Sequence, residues 1–129
     1  MRARRCRGVP ELIRINFNGC PRNRSQKSCS FPKTVALGKY LFSLIDDRQC
    51  LVLDSFAGSG TTAQAVLELN AIDGGTRRFL LVEVVADIAR EVTAPRVRQL
   101  MAGCCDSKGK TVAGLGGGYD YDELSAAPD

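Results

Sequence analysis

Two short apolar runs, Cys50-Leu51-Val52-Leu53 and Phe79-Leu80-Leu81-Val82, each end in an acid, Asp54 and Glu83. Between them lie a glycine-containing turn (Ser55 to Gly60), a helical stretch from Thr61 to Leu69, and a loop from Asn70 to Thr76 around Asp73-Gly74-Gly75. Thr62, Ala65, Val66 and Leu69 fall on one side of that helix, and Arg77-Arg78 lead into the second run. Continuous apolar runs of this length read as strands buried on both faces, as in a parallel sheet. Strand, turn, helix, loop and strand make a βαβ unit, whose crossover is almost always right-handed. This pattern restricts the chain to an α/β fold with a partial doubly wound, Rossmann-like and mostly parallel sheet.

The flanks are read around that unit. Within residues 1–30 only Glu11 to Phe17 alternates as a strand does, and Asn18-Gly19 follows as a turn. From Phe31 the pattern changes: Thr34 is placed to cap a helix whose apolar face carries Val35, Leu37, Leu41, Leu44 and Ile45, with Gly38 weakening it. Ala86 to Val92 and Pro95 to Met101 read as two helical pieces, with Pro95 in the first turn of the second. The glycine run from Gly114 to Gly118 leads into Tyr119-Asp120-Tyr121, a last strand. The expected organisation is a basic, poorly structured leader over 1–30, a domain over 31–122 and a frayed tail over 123–129.

The turn carries the chemistry. In Asp54-Ser55-Phe56-Ala57-Gly58-Ser59-Gly60-Thr61-Thr62, the two glycines let backbone approach a ligand where side chains would clash, and the following helix start offers unpaired N–H groups. From Gly58 the segment also fits a dinucleotide fingerprint, with Ala63 at the third small position and Glu83 near the spacing of a ribose-binding acid. Asp54 opposes that reading, because a carboxylate at the strand end would face a pyrophosphate. S-adenosylmethionine instead brings a sulfonium and an ammonium, and a carboxylate near two cations is favourable in sign. A phosphate-binding P-loop is excluded, since Thr61-Thr62 stands where Lys and Ser or Thr are required. Glu83, with two acceptor oxygens, suits a ribose diol.

At these residues the sequence resembles a known family. Asp54 to Thr62 resembles the F-x-G-x-G cofactor motif of permuted (beta-class) amino-DNA methyltransferases. Ala65 to Asn70 and Asp73 to Phe79 resemble the modification subunit of type III restriction–modification systems. So do Phe31-Pro32-Lys33-Thr34-Val35 upstream and Gly114 to Tyr119 downstream. The resemblance spans residues 31–122 in the family's order. It implies that Phe56, Ala57, Gly58, Ser59, Gly60, Thr61 and Thr62 wrap S-adenosylmethionine beside Asp54. It further implies that Glu83 holds the ribose, and that Pro32, Lys33 and Thr34 lie by the carboxylate end. The implied activity is N6 methylation of a flipped adenine in double-stranded DNA by the complete enzyme, in a prokaryotic cytoplasm and with a restriction subunit or the missing N-terminal half as a further partner. In the family an Asp or Asn, Pro-Pro and an aromatic residue precede this motif; no Pro-Pro pair occurs here, and Ser55 stands where Pro or Phe is common. With no target-recognition region either, the expectation is a C-terminal fragment that has no catalytic residues of its own and is inactive alone.

Other readings remain open. Residues 1–28 hold eight Lys/Arg against one acid, and the rest ten against thirteen, so the basic charge belongs to the N-terminal segment. Such an arm suits a polyanion, and a non-enzymatic DNA-binding remnant is one alternative. A fragment of an NAD-dependent oxidoreductase is another, and a remnant without function, poorly soluble through exposed sheet edges, is a third. The six cysteines include no C-x-x-C pair and the chain has no His, which points to reduced thiols and no metal site. No run approaches the ~18 apolar residues of a membrane span.

Overall fold

The computed structural model describes residues 11–14, 34–105 and 109–123. The expected βαβ unit is present: β2 (Leu51–Asp54), α2 (Thr61–Asp73) and β3 (Arg78–Glu83), with β2 and β3 parallel and Asp54 opposite Leu81. Before it come β1 (Glu11–Arg14) and α1 (Thr34–Ser43). After it, α3 (Ala86–Ile88), a π turn (Ala89–Thr93) and α4 (Ala94–Ala102) form one helical segment. A hairpin of β4 (Gly103–Cys105) and β5 (Thr111–Ala113) and the strand β6 (Asp120–Glu123) follow.

The main sheet has four strands in the order β2-β3-β1-β6. The expectation of a mostly parallel sheet is corrected here. β2 pairs parallel with β3, but β1 lies antiparallel between β3 and β6, so two of its three ladders are antiparallel. The cause is local: only the β2–β3 connection is a helical crossover, whereas β1 and β6 reach the sheet from outside the βαβ unit. The chain remains α/β.

The strands are not buried on both faces. Phe79, Leu81 and Glu83 of β3 turn inward, and Ala57, Ala63, Val66, Val97 and Met101 complete the core with Phe79 and Leu81. On β2, Leu51 and Leu53 are 54% and 63% exposed, because β2 is an edge strand and no described residue covers that face.

The helices also depart from their simple periodicity. α1 begins at Thr34 itself, making Thr34 a helical residue rather than the cap, and it ends at Ser43. Of its expected apolar face only Val35 is buried; Leu37, Leu41, Leu44 and Ile45 are exposed. Gly38 explains how α1 docks: a Cβ built there would lie 3.0 Å from the Ala65 Cβ, so the two helices touch where both residues are small. α2 runs a turn beyond Leu69 and stops at Gly74, whose N–H donates to the Asn70 carbonyl at 2.9 Å. Tyr119 precedes β6 and donates its hydroxyl to the Ala94 carbonyl at 2.9 Å, while burial pushes that phenol above its ordinary pKa. Glu123, expected in the frayed tail, is the last residue of β6 and pairs with Arg90 at 2.6 Å. No described helix is long and apolar enough to cross a membrane.

A buried guanidinium closes the corner before β3. Arg77 donates through Nη1 and Nη2 to the two carboxylate oxygens of Asp73 at 3.0 and 2.9 Å, and the Asn70 amide bridges the Arg77 backbone N–H and carbonyl. The Arg77 bonds hold the Asp73 carboxyl below its ordinary pKa; desolvation opposes them, and the Gly75 N–H and the Arg48 charge add to them. A carboxyl whose pKa is lowered by folding contributes stability above its unfolded pKa and loses it as pH falls. Stability to urea should therefore decline as pH drops from about 5 toward about 3. Asp73→Asn should be less stable at neutral pH and less sensitive to acid; an unchanged acid dependence in that variant would disprove the assignment.

Candidate functional site

The turn between β2 and α2 folds as a left-handed bend. Gly58 has φ +50° and Gly60 φ +77°, conformations that L side chains rarely adopt. Asp54 organises its start: one carboxylate oxygen accepts the Phe56 N–H at 3.0 Å and the other accepts the Thr62 hydroxyl at 2.6 Å. Glu83 organises its crest, accepting the Gly58 N–H at 2.9 Å through one oxygen and the Val85 N–H at 3.0 Å through the other. The Ala57 N–H reaches the Val82 carbonyl at 2.9 Å, and the Gly60 N–H the Ala57 carbonyl at 2.8 Å, which ties the bend to the end of β3.

An open hollow of about 450 Å³ lies between this bend and α1. Of the residues singled out in the sequence, Asp54, Phe56, Ala57, Gly58, Ser59, Thr61 and Thr62 line it. Phe56 is 85% exposed at its rim, and Ser59 and Thr61 bring their hydroxyls to 3.2 Å of one another. Gly60 does not line it; Gly60 is buried behind the bend, where an added Cβ would meet Val97 Cγ2 at 3.3 Å and Thr93 Cγ2 at 3.5 Å. Nor does Glu83, which is 9% exposed and sits under Gly58, with the exposed Val84 and Val85 next in the chain. Thr34 opens α1, and Pro32 and Lys33 lie outside the described residues.

The opposite wall is made by Leu37, Gly38, Leu41 and Phe42 of α1. Sequence reasoning missed them as site residues. Helical periodicity marks an apolar stripe but cannot say whether that stripe meets a core or a cavity; here much of it is left open to the hollow.

Behind the bend, a polar chain crosses three helices. Arg96 of α4 donates to the Ser59 carbonyl at 3.0 Å and to the buried Gln64 at 2.6 Å. Gln64 donates to Glu68 at 2.8 Å, and Glu68 accepts Lys39 of α1 at 2.6 Å. Burial works to raise the Glu68 carboxyl, but the bonds from Lys39 and Gln64 and the Lys39 charge outweigh it and leave the pKa below its ordinary value.

No family model matches the chain. Over 65 residues, half of the chain, it is 45% identical to the type III restriction-modification enzyme StyLTI Mod subunit of Salmonella typhimurium, covering 10% of that protein. Over 52 residues, 40% of the chain, it is 48% identical to the EcoPI Mod subunit of Escherichia phage P1, covering 8% of it. Over 47 residues, 34% of the chain, it is 49% identical to the type II methyltransferase M.KpnI of Klebsiella pneumoniae, covering 11% of it. The class to which this part of the chain is related is thus the restriction–modification methyltransferases. Two of the three relatives are Mod subunits of type III enzymes, the likeness that the residues themselves carry. The chain spans about a tenth of the length of these relatives.

The packing behind Gly60 is open to a direct test. Gly60→Ala should lose about 1–3 kcal/mol through the left-handed backbone and the contact with Val97. Gly74→Ala, equally left-handed at φ +69° but with no atom within 4 Å, should lose only the backbone part. Equal losses in urea unfolding would show that the Val97 and Thr93 contacts contribute nothing.

Proposed function

We propose that residues 31–122 are the S-adenosylmethionine-binding part of a DNA methyltransferase of a restriction–modification system, built on a partial Rossmann-like sheet. One observation carries the reading: the glycine bend, held by an acid on either strand end, lines a hollow with the Asp54 carboxylate in its wall. The volume, about 450 Å³, lies within the range of small-molecule sites. The site suits this cofactor chemically. A pyrophosphate would be repelled by Asp54, whereas an ammonium or sulfonium is attracted. The kinship with methyltransferases supports the same choice.

In this reading the residues divide the work. Leu37, Leu41 and Phe42 give the apolar wall, Phe56 covers the rim, and Asp54 faces the cationic end. Ser59, Thr61 and Thr62 offer hydroxyls and the N–H groups of the first turn of α2, which have no partner within the helix. Glu83 spends one lone pair of each oxygen on the backbone, and the family resemblance assigns its remaining lone pairs to the ribose hydroxyls. By the family resemblance, Pro32, Lys33 and Thr34 are assigned to the carboxylate end of the cofactor. When bound, the cofactor supplies an electrophilic methyl group, and the protein's part is to hold and orient it.

The substrate proposed from the relatives is double-stranded DNA, with the adenine N6 amine as acceptor. A Pro-Pro-aromatic motif, absent from these 129 residues, is assigned to the complete enzyme, with a restriction subunit as a further partner. Calorimetry on the 129-residue chain should show S-adenosylmethionine binding and none of NAD. Asp54→Ala should weaken the former by about tenfold, the loss of one charged contact. NAD binding without S-adenosylmethionine binding would reject the proposal. Methylation of DNA by the chain alone would reject the expected dependence on a partner.

A further inference from the structure

The segment after β3 contains a feature that the cofactor reading does not use. Ala89–Thr93 is a π turn, in which the Ala94 N–H reaches back five residues to the Ala89 carbonyl. Such turns insert one residue into a helix and rotate the next turn by about 100°. Here the rotation places Thr93, Arg96 and Val97, spaced i, i+3 and i+4, on the face that meets the glycine bend.

Each of the three touches the bend. Thr93, fully buried at 0% exposure, donates its hydroxyl to the Gly58 carbonyl, with the Ile88 carbonyl also within 3.2 Å. Its methyl group lies against Gly60, as does Val97, and Arg96 holds the Ser59 carbonyl at 3.0 Å. Three successive residues of the bend are therefore gripped from beneath by one helical face. A threonine serving only its own helix would bond a carbonyl of the preceding turn and nothing else. Thr93 instead bonds Gly58 with its oxygen and packs on Gly60 with its methyl, meeting both glycines with one β-branched side chain.

We propose that Thr93, delivered by the π turn, is a positioning residue that sets the bend in its ligand-binding shape. With the Gly58 and Ser59 carbonyls turned down to Thr93 and Arg96, acceptor oxygens are kept out of the hollow, and the bend presents its outer face there. This inference rests on reading the hollow as the S-adenosylmethionine site, and its test separates the two.

The test uses Thr93→Val, which keeps the shape and removes the hydroxyl, and Thr93→Ser, which keeps the hydroxyl. Both are compared with the unsubstituted 129-residue chain by calorimetry with S-adenosylmethionine and by amide hydrogen exchange. Thr93→Val should bind about tenfold more weakly, as expected when a buried carbonyl loses its donor, and Thr93→Ser should stay within about threefold. Exchange at Gly58 and Gly60 should quicken in Thr93→Val while α4 amides keep their rates. Should Thr93→Val fail to fold, Arg96→Lys replaces it, with the same local quickening expected. Unchanged affinity together with unchanged exchange overturns the role of Thr93. Absence of S-adenosylmethionine binding by the unsubstituted chain overturns the cofactor reading instead, and the exchange result then decides the clamp by itself.

Discussion

Gly58 is held through both of its backbone polar groups. Its N–H goes to the Glu83 carboxylate at the end of β3, and its carbonyl receives the Thr93 hydroxyl from the helical segment beyond. These two bonds join three stretches of chain: the β2–α2 turn, the tip of β3 and the end of the π turn. A positive φ at Gly58 and Gly60 is tolerable only because no side chain must be housed, and it persists because the surroundings determine it from above and below. The hollow, the Asp54 wall and the first turn of α2 all take their positions from this bend.

The polar chain from Arg96 through Gln64 and Glu68 to Lys39 extends the same constraint sideways. Gln64 is 1% exposed, so both ends of its amide need partners, and Arg96 and Glu68 provide them. Satisfying one buried amide thereby fixes α4, α2 and α1 relative to each other. α1 thus meets α2 through the Lys39–Glu68 ion pair as well as the Gly38–Ala65 contact, while most of its apolar stripe is left uncovered.

How much of this could be read from residues alone depends on how local each cause is. The βαβ unit was legible because its signals, apolar runs of strand length, a glycine turn and a helical stripe, lie within 34 consecutive residues, 50–83. That Asp54 and residues 56–59, 61 and 62 come together along one hollow has the same local origin. Non-local facts were not. Leu51 and Leu53 look buried because an apolar run carries no record of whether a layer lies on each side. The antiparallel β1 depends on partners distant in sequence, while the β4–β5 hairpin and the π turn, though local, went unread. Glu83 was expected only as a ligand contact; its burial beneath Gly58 arises from the bend folding back over β3, which spacing cannot show. Thr93 left no sign in the sequence beyond being a β-branched residue next to an Ala-Pro pair.

The meeting of Gly38 and Ala65 has a mechanical consequence. Since the helices already rest on each other there, with 3.0 Å between a Cβ placed on Gly38 and the Ala65 Cβ, the wall that α1 gives the hollow has a fixed stop. At that point α1 cannot move closer to α2. A single methyl group added there would act as a shim, changing the aperture while leaving every lining side chain chemically intact.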